Sequence, residues 1–301
     1  MAYRLSLDDR DVDAALCRIA GEQLAKAAQA MDGMEPALAV HDIRKRCKKL
    51  RALIRLVRPA FPDYRYENAD FREIAALISG ARDARVMLDT YDRLEQAYAD
   101  EVDRRSFRSI RARLETDHAG CEADNGLAAL KAARERLLAA KKRVARWRLT
   151  ETAWAALGPG LAASRKQARA SAGLASTETV PEAIHELRKH IKYHCYHARL
   201  LMDLWPDCMG LRERSAMEAS ELLGLHHDLW VFECRLARDG EGFGKPSDVA
   251  LARSLAARER DRLEALAWPL INRLLAEKPG ALMRHWGRLW AVWRANGAGA
   301  A

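Results

Sequence analysis

Apolar residues recur along this chain at helical rather than alternating spacing, and the rhythm breaks at proline or glycine. Ile43, Cys47, Leu50, Leu53, Ile54 and Val57, for example, fall on one arc of a helix with about 3.6 residues per turn. Spacing of this kind predicts helices over 12–31, 37–58, 67–97 and 100–147, the last broken around Gly120 to Gly126. A second set is predicted over 155–174, 182–204, 209–238 and 248–276, with a short helix over 280–294 and a loop from Gly240 to Asp248. Pro36, Pro59, Pro62, Pro159, Pro181, Pro206, Pro246 and Pro279 mark where periodic runs start or stop, because proline lacks an amide donor and crowds the preceding turn. Pro269 is read as beginning or kinking a helix. Thr, Val and Ile are sparse beside Ala, Leu, Arg and Glu, so propensity agrees with periodicity. The expected fold class is all-α.

A search for internal repeats changes the picture most. His41-Asp-Ile-Arg44-Lys45-Arg-Cys-Lys48 recurs 144 positions later as His185-Glu-Leu-Arg188-Lys189-His-Ile-Lys192. The match continues through Arg55-Leu56 with Arg199-Leu200 and through Pro62 with Pro206. Arg82-Asp83 then aligns with His227-Asp228 after a slip of one residue. A duplicated four-helix unit accounts for this, with residues 1–150 as the first half and 151–301 as the second, together one functional unit.

Charge now matters, because it follows the repeat. In the first copy His41, Arg44, Lys45, Lys48, Arg51 and Arg55 lie within an arc of roughly 120°, opposite the apolar arc. In the second, His185, Arg188, Lys189, Lys192, Tyr196 and Arg199 share a face, opposite Leu187, Ile191, Ala198 and Leu201. A basic helix face is commonly just solvated. Solvated faces, however, mix signs to gain pairs at i,i+4. From His41 to Arg58 there are eight Lys or Arg and a single acid, Asp42. Self-repulsion that occurs twice, at matching positions, points to an anionic ligand. An 18-residue stripe runs about 27 Å, which suits a linear polymer of phosphates better than one small ester. Arginine forks across two phosphate oxygens, lysine supplies a mobile charge, and histidine gains charge as phosphate approaches. Arg18, Lys26, Arg82, Arg165, Lys166, Arg169 and His227 are possible additions to such a site.

Composition narrows the partner only by sign. The 301 residues carry 51 Lys and Arg against 42 Asp and Glu, a formal net charge of +9 that favours acidic partners. Hydrophobic residues at 49% and charged residues at 31% exclude a disordered chain. Six scattered cysteines without a C-x-x-C pair suit a reducing cytoplasm, and no apolar run reaches membrane-span length.

Two other readings compete. A metal-dependent phosphohydrolase could use His226-His227-Asp228 and the cluster His185, His190, His194 and His197. Adjacent side chains on a helix point about 100° apart, however, and His194 falls in the apolar arc, where a core histidine is the commoner outcome. No P-loop, G-x-S-x-G or dinucleotide turn is present. The expectation is therefore no catalysis, no metal and no cofactor. Non-specific nucleic-acid binding is the other rival, but single-strand binders interleave aromatics with charge, and none lies between His41 and Arg58. Trp286, Trp290 and Trp293 have the spacing of a core seam. Asp83 and Asp228 are expected to orient motif cations rather than to act as acid or base.

The doubled H-x-x-R-K-x-x-K motif, the Arg82-Asp83 and His227-Asp228 pairs and the opening Ala2-Tyr3-Arg4-Leu5 resemble a CHAD domain, the conserved-histidine α-helical domain. The resemblance spans roughly residues 3–295. It implies two antiparallel four-helix bundles related by a pseudo-twofold axis, with a basic central channel binding inorganic polyphosphate, and association with polyphosphate granules. By motif position it implies contacts from His41, Arg44, Lys45, Lys48, His185, Arg188, Lys189 and Lys192. The catalytic triphosphate-tunnel companion of some relatives has no counterpart here. One departure is Ser79-Gly80-Ala81, where the family pattern has a Leu-Gly pair.

Overall fold

The structure is a computed structural model that describes residues 3–78, 80–101, 107–122, 126–177 and 181–298. It is all-helical: among the described residues there are eleven α-helices, three short 3-10 turns and no strand. The first six helices are α1 (Val12–Gly33), α2 (Pro36–Leu56), α3 (Tyr64–Leu77), α4 (Gly80–Ala97), α5 (Arg108–Glu122) and α6 (Gly126–Val144). The remainder are α7 (Ala153–Thr177), α8 (Pro181–Leu200), α9 (Pro206–Arg238), α10 (Pro246–Leu275) and α11 (Pro279–Ala298).

Local chemistry explains most boundaries. Asp11 caps α1 by accepting the amide of Ala14 at 2.8 Å. Glu35 caps α2 through the amides of Ala37 and Leu38, with Pro36 in the first turn, where its missing amide costs nothing. Both motif helices end in a 3-10 turn, Arg58–Ala60 after α2 and Met202–Leu204 after α8, and Pro206 then opens α9.

Four expectations need correction. The single helix expected over 67–97 is two, α3 and α4, with α3 closing at Ile78 just before Gly80, a residue of low helix propensity. The helices expected over 37–58 and 182–204 stop at Leu56 and Leu200, giving way to the 3-10 turns. The loop expected over 240–248 contains a 3-10 turn at Gly240–Phe243, and α10 already begins at Pro246. Pro159 does not punctuate: it lies inside α7, exposed, where it forfeits a single i to i−4 bond in the second turn.

Packing follows the apolar arcs. α1 contacts α2, α2 contacts α3, α3 contacts α6 and α6 returns to α1. α7, α8, α9 and α10 contact one another in the same cyclic way. α4 and α5 pair and pack on α9, α10 and the Gly240–Phe243 turn, under a core of Leu88, Tyr91, Phe107, Phe232 and Phe243. α6 is held to α3 by a buried network in which Arg143 donates to Glu67 and Asp70 and Trp147 Nε1 donates to Glu67 at 3.2 Å. Those carboxylates are buried, so their partners offset the cost of desolvation. Trp286, Trp290 and Trp293 are buried in the core as their spacing predicts. No described helix is long and apolar enough to cross a membrane.

Candidate anion-binding site

The two motif helices touch. His197 of α8 is fully buried and donates from Nε2 to the carbonyl oxygen of Ala52 in α2 at 3.0 Å. A carbonyl can only accept, so this bond fixes Nε2 as the protonated nitrogen. Around the contact, Ile43, Cys47, Leu50, Leu53, Ile54 and Val57 are buried, as the apolar arc predicts, and so are Leu187, Ile191, Ala198 and Leu201. Ala52 and Leu56, on the cationic side of α2, are buried as well, because α8 and α7 pack there.

The stripe cations fall on both sides of this crossing. Arg55 donates to Gln167 of α7 at 3.2 Å, and its guanidinium carbon lies 4.3 Å from the ring centroid of Tyr193. Arg51 donates to Asn68 at 3.1 Å, and Lys192 points at the thioether of Met217 and the ring of Tyr196. These hydrogen-bond partners are neutral. Arg44 donates to the carbonyl of Ala75 at 2.7 Å and Arg188 to that of Ser220 at 3.2 Å. Ala75 and Ser220 occupy equivalent places once the one-residue slip of the repeat is counted. His41, Lys45 and Lys48 are exposed on α2. Among the stripe cations, Lys189 pairs with Glu186 at 2.6 Å and Arg199 pairs with Glu213. Tyr196, grouped with the open face by its spacing, is buried edge-on against Tyr3.

His185 stacks against His227 of α9 with ring centroids 4.3 Å apart, and His227 in turn lies 5.6 Å from Trp230. Burial, followed by the charges of His227, Lys189 and Arg188, pulls the His185 imidazole down to about 4. It is therefore neutral near pH 7.

The possible additions scatter. Arg18 is held by Asp9 and Glu22 and by the carbonyl of Arg4. Arg169 donates to the carbonyl of Leu275, Lys166 is exposed, and Lys26 is half-buried beside Lys49. Arg165 is 2% exposed, away from solvent. The side chains of Arg82 and Asp83 lie outside the described residues.

Residues 15–237 match the sequence model of the CHAD domain. The chain belongs to the CHAD domain family. No curated protein matches it. The CHAD match takes in both motif helices and their crossing, while α10 and α11 follow it.

One site feature of this CHAD chain escaped sequence reasoning. Lys49 lies on α2 between the cationic and apolar arcs and is 7% exposed, with its ammonium 5.0 Å from the Tyr3 ring centroid. Burial, then Arg46, Arg199, Lys45 and Lys26, lowers its ammonium to about 8. Periodicity alone could flag Lys49 only as a boundary position; its burial comes from α8 and the N-terminal segment. Among the described residues of the CHAD chain, no group of three or more His, Cys, Asp or Glu is arranged to hold a metal ion.

Proposed function

We propose that this chain binds long-chain inorganic polyphosphate, without covalent chemistry, along a basic groove where α2 and α8 meet. In this reading the two helical rings are antiparallel four-helix bundles related by a pseudo-twofold axis, and binding addresses the protein to polyphosphate granules in the cytoplasm. The observation that carries it is the packing of the two motif helices against one another at Ala52 and His197, which brings both cationic stripes to one crossing. Arg51, Arg55 and Lys192 there are bonded to neutral groups, so an incoming anion does not have to displace a carboxylate. Polyphosphate offers phosphate oxygens without bases, matching a site rich in guanidinium and ammonium groups.

The test is a titration of long-chain polyphosphate against single-stranded DNA and pyrophosphate at physiological salt. Polyphosphate is expected to bind far more tightly than either. Replacing Arg44, Lys45, Arg188 and Lys189 together by alanine should lower the log–log salt slope by roughly three, one counterion-releasing contact for each charge lost. Equal affinity for DNA would replace this reading with a nucleic-acid one. Divalent-dependent release of phosphate would replace it with hydrolysis.

A further inference from the structure

Arg58 stands in the 3-10 turn that follows α2, and Arg65 is the second residue of α3. Arg58 is half-buried and Arg65 is exposed. Among the described residues, neither guanidinium has a carboxylate at ion-pair distance or a hydrogen-bond acceptor. Other arginines of this chain do take carboxylates, as Arg18 takes Asp9, Arg111 takes Asp92 and Arg235 takes Asp117. The ring of Tyr64 lies against Arg58, its centroid 5.7 Å from the guanidinium carbon. The Tyr64 hydroxyl has no hydrogen-bond partner among the described residues.

Arg58, Phe61, Pro62, Tyr64 and Arg65 line an open recess of about 450 Å³. Phe61 is buried and packs on Trp147 with ring centroids 5.1 Å apart, which fixes that wall in the core. A water molecule occupies about 30 Å³ of liquid, so the recess has room for groups of phosphate size. Asp63 is exposed and is not part of the lining, so two guanidiniums share the recess with no acid in its walls. The recess also joins the flank of the helix crossing. His190 of α8 feels the positive charges of Arg55, Lys189 and Arg58, opposed by Glu186. Arg55 reaches α8 at the ring of Tyr193. Lys189, Arg55 and Arg58 therefore form a run of positive charge from α8, across the end of α2, to the mouth of the recess.

We propose that the polyphosphate chain continues past the motif helices into this recess. Arg58 and Arg65 each neutralise a phosphate there, and the Tyr64 hydroxyl donates to a phosphate oxygen. The inference rests on the polyphosphate reading and gives the polymer a path, over the end of α2 and onto α3. Neither arginine belongs to the repeated motif stripes. A linear polymer suits the arrangement better than a separate small ester, because only a continuous chain couples the recess to the cations at the crossing.

The test titrates long-chain polyphosphate against the full chain and against the double variant Arg58→Gln, Arg65→Gln over a range of salt. The variant is expected to bind about tenfold more weakly and to lose about 1.4 from the log–log salt slope, about 0.7 for each single-strand phosphate no longer neutralised. Unchanged affinity and slope would overturn the proposal. Arg65→Gln alone, at an exposed position, should lose about 0.7 and keeps the test open if the double variant does not fold. A second measurement labels arginines of the unmodified protein with phenylglyoxal and maps the peptides. Long-chain polyphosphate is expected to shield Arg58 and Arg65 while Arg238, 71% exposed on α9, stays reactive. Equal shielding by pyrophosphate at the same phosphate concentration would make the recess an isolated small-anion subsite and refute the continuing path. Polyphosphate that binds yet leaves Arg58 and Arg65 reactive would refute the path and spare the reading of the crossing. A chain that does not bind polyphosphate at all would sink both.

Discussion

Nε2 of His197 lies 3.0 Å from the carbonyl oxygen of Ala52, joining the two copies of the repeated motif at one point. A histidine from one repeat thereby satisfies a backbone group in the other, and both are fully buried. Such a bond fixes the separation of the helices at their crossing. The charged residues on either side are then set by geometry: Arg55 reaches Tyr193 on one side, and Arg199 approaches Lys49 on the other. Two stripes that repel one another are held together by a neutral, desolvated contact. The fold supplies attraction at the centre and leaves the charge at the flanks.

Lys49 bears a cost of this arrangement. Its ammonium is lowered from 10.5 to about 8, first by burial and then by Arg46, Arg199, Lys45 and Lys26. A lysine whose folded value is depressed destabilises the protein while charged, and that penalty fades as pH rises from 8 towards 10.5. Lys49→Met is therefore expected to stabilise the ligand-free protein by about 2 kcal/mol at pH 7. Urea unfolding of both proteins at pH 7 and pH 10 checks it. The gap should shrink at the higher pH, and a variant no more stable than the parent at pH 7 would contradict the assignment.

Gly224 and Gly160 make a contrasting pair. A Cβ placed on Gly224 would come within 2.8 Å of Nη2 and 3.0 Å of Nε of Arg188, the mobile end of a side chain. One placed on Gly160 would meet the carbonyl oxygen of Leu56 at 1.9 Å, which is backbone and cannot step aside. Gly224→Ala is expected to keep the fold while dislodging Arg188 from Ser220, weakening polyphosphate binding by about threefold to tenfold, the worth of one displaced charged contact. Gly160→Ala should separate α7 from the end of α2 and cost about 2–4 kcal/mol, in the range of severe overpacking. Thermal melts and a binding titration on each variant distinguish the two. Equal losses of stability would refute the contrast.

Helical periodicity made the buried faces legible. All six residues of the first apolar arc, five in α2 and Val57 at its end, are buried, because an amphipathic helix has few ways to hide such a stripe. The repeated motif was legible too, and Arg44 and Arg188 donate to carbonyls at matching places on α3 and α9. What periodicity could not supply was the neighbour on the polar side. Ala52 and Leu56 lie on the cationic side of α2, and the approach of α8 and α7 makes them an interface. The break between α3 and α4 was hidden for a similar reason, since one glycine is a weak signal inside an otherwise periodic run. Arg165 read as one more cation on a basic helix. Its burial depends on Glu277, more than a hundred residues away in the chain.

Acid should act on fold and ligand in opposite directions. His185, His190, His197 and His226 are each lowered to about 4, with burial the largest cause in every case. Their ordinary value is 6.5, so between pH 6.5 and pH 4 the unfolded chain binds more protons than the folded one. Stability is accordingly present above pH 6.5 and is lost progressively as pH falls through that window. Denaturant unfolding at pH 7, 6 and 5 is expected to show a steady fall, and a flat profile would refute it. A bound polyanion beside His185 favours the imidazolium, so binding at pH 5.5 should be accompanied by proton uptake. Calorimetry in buffers of different ionisation enthalpy measures that uptake, and His185→Asn should reduce it. Uptake that is absent, or unchanged in that variant, would place the polymer away from His185.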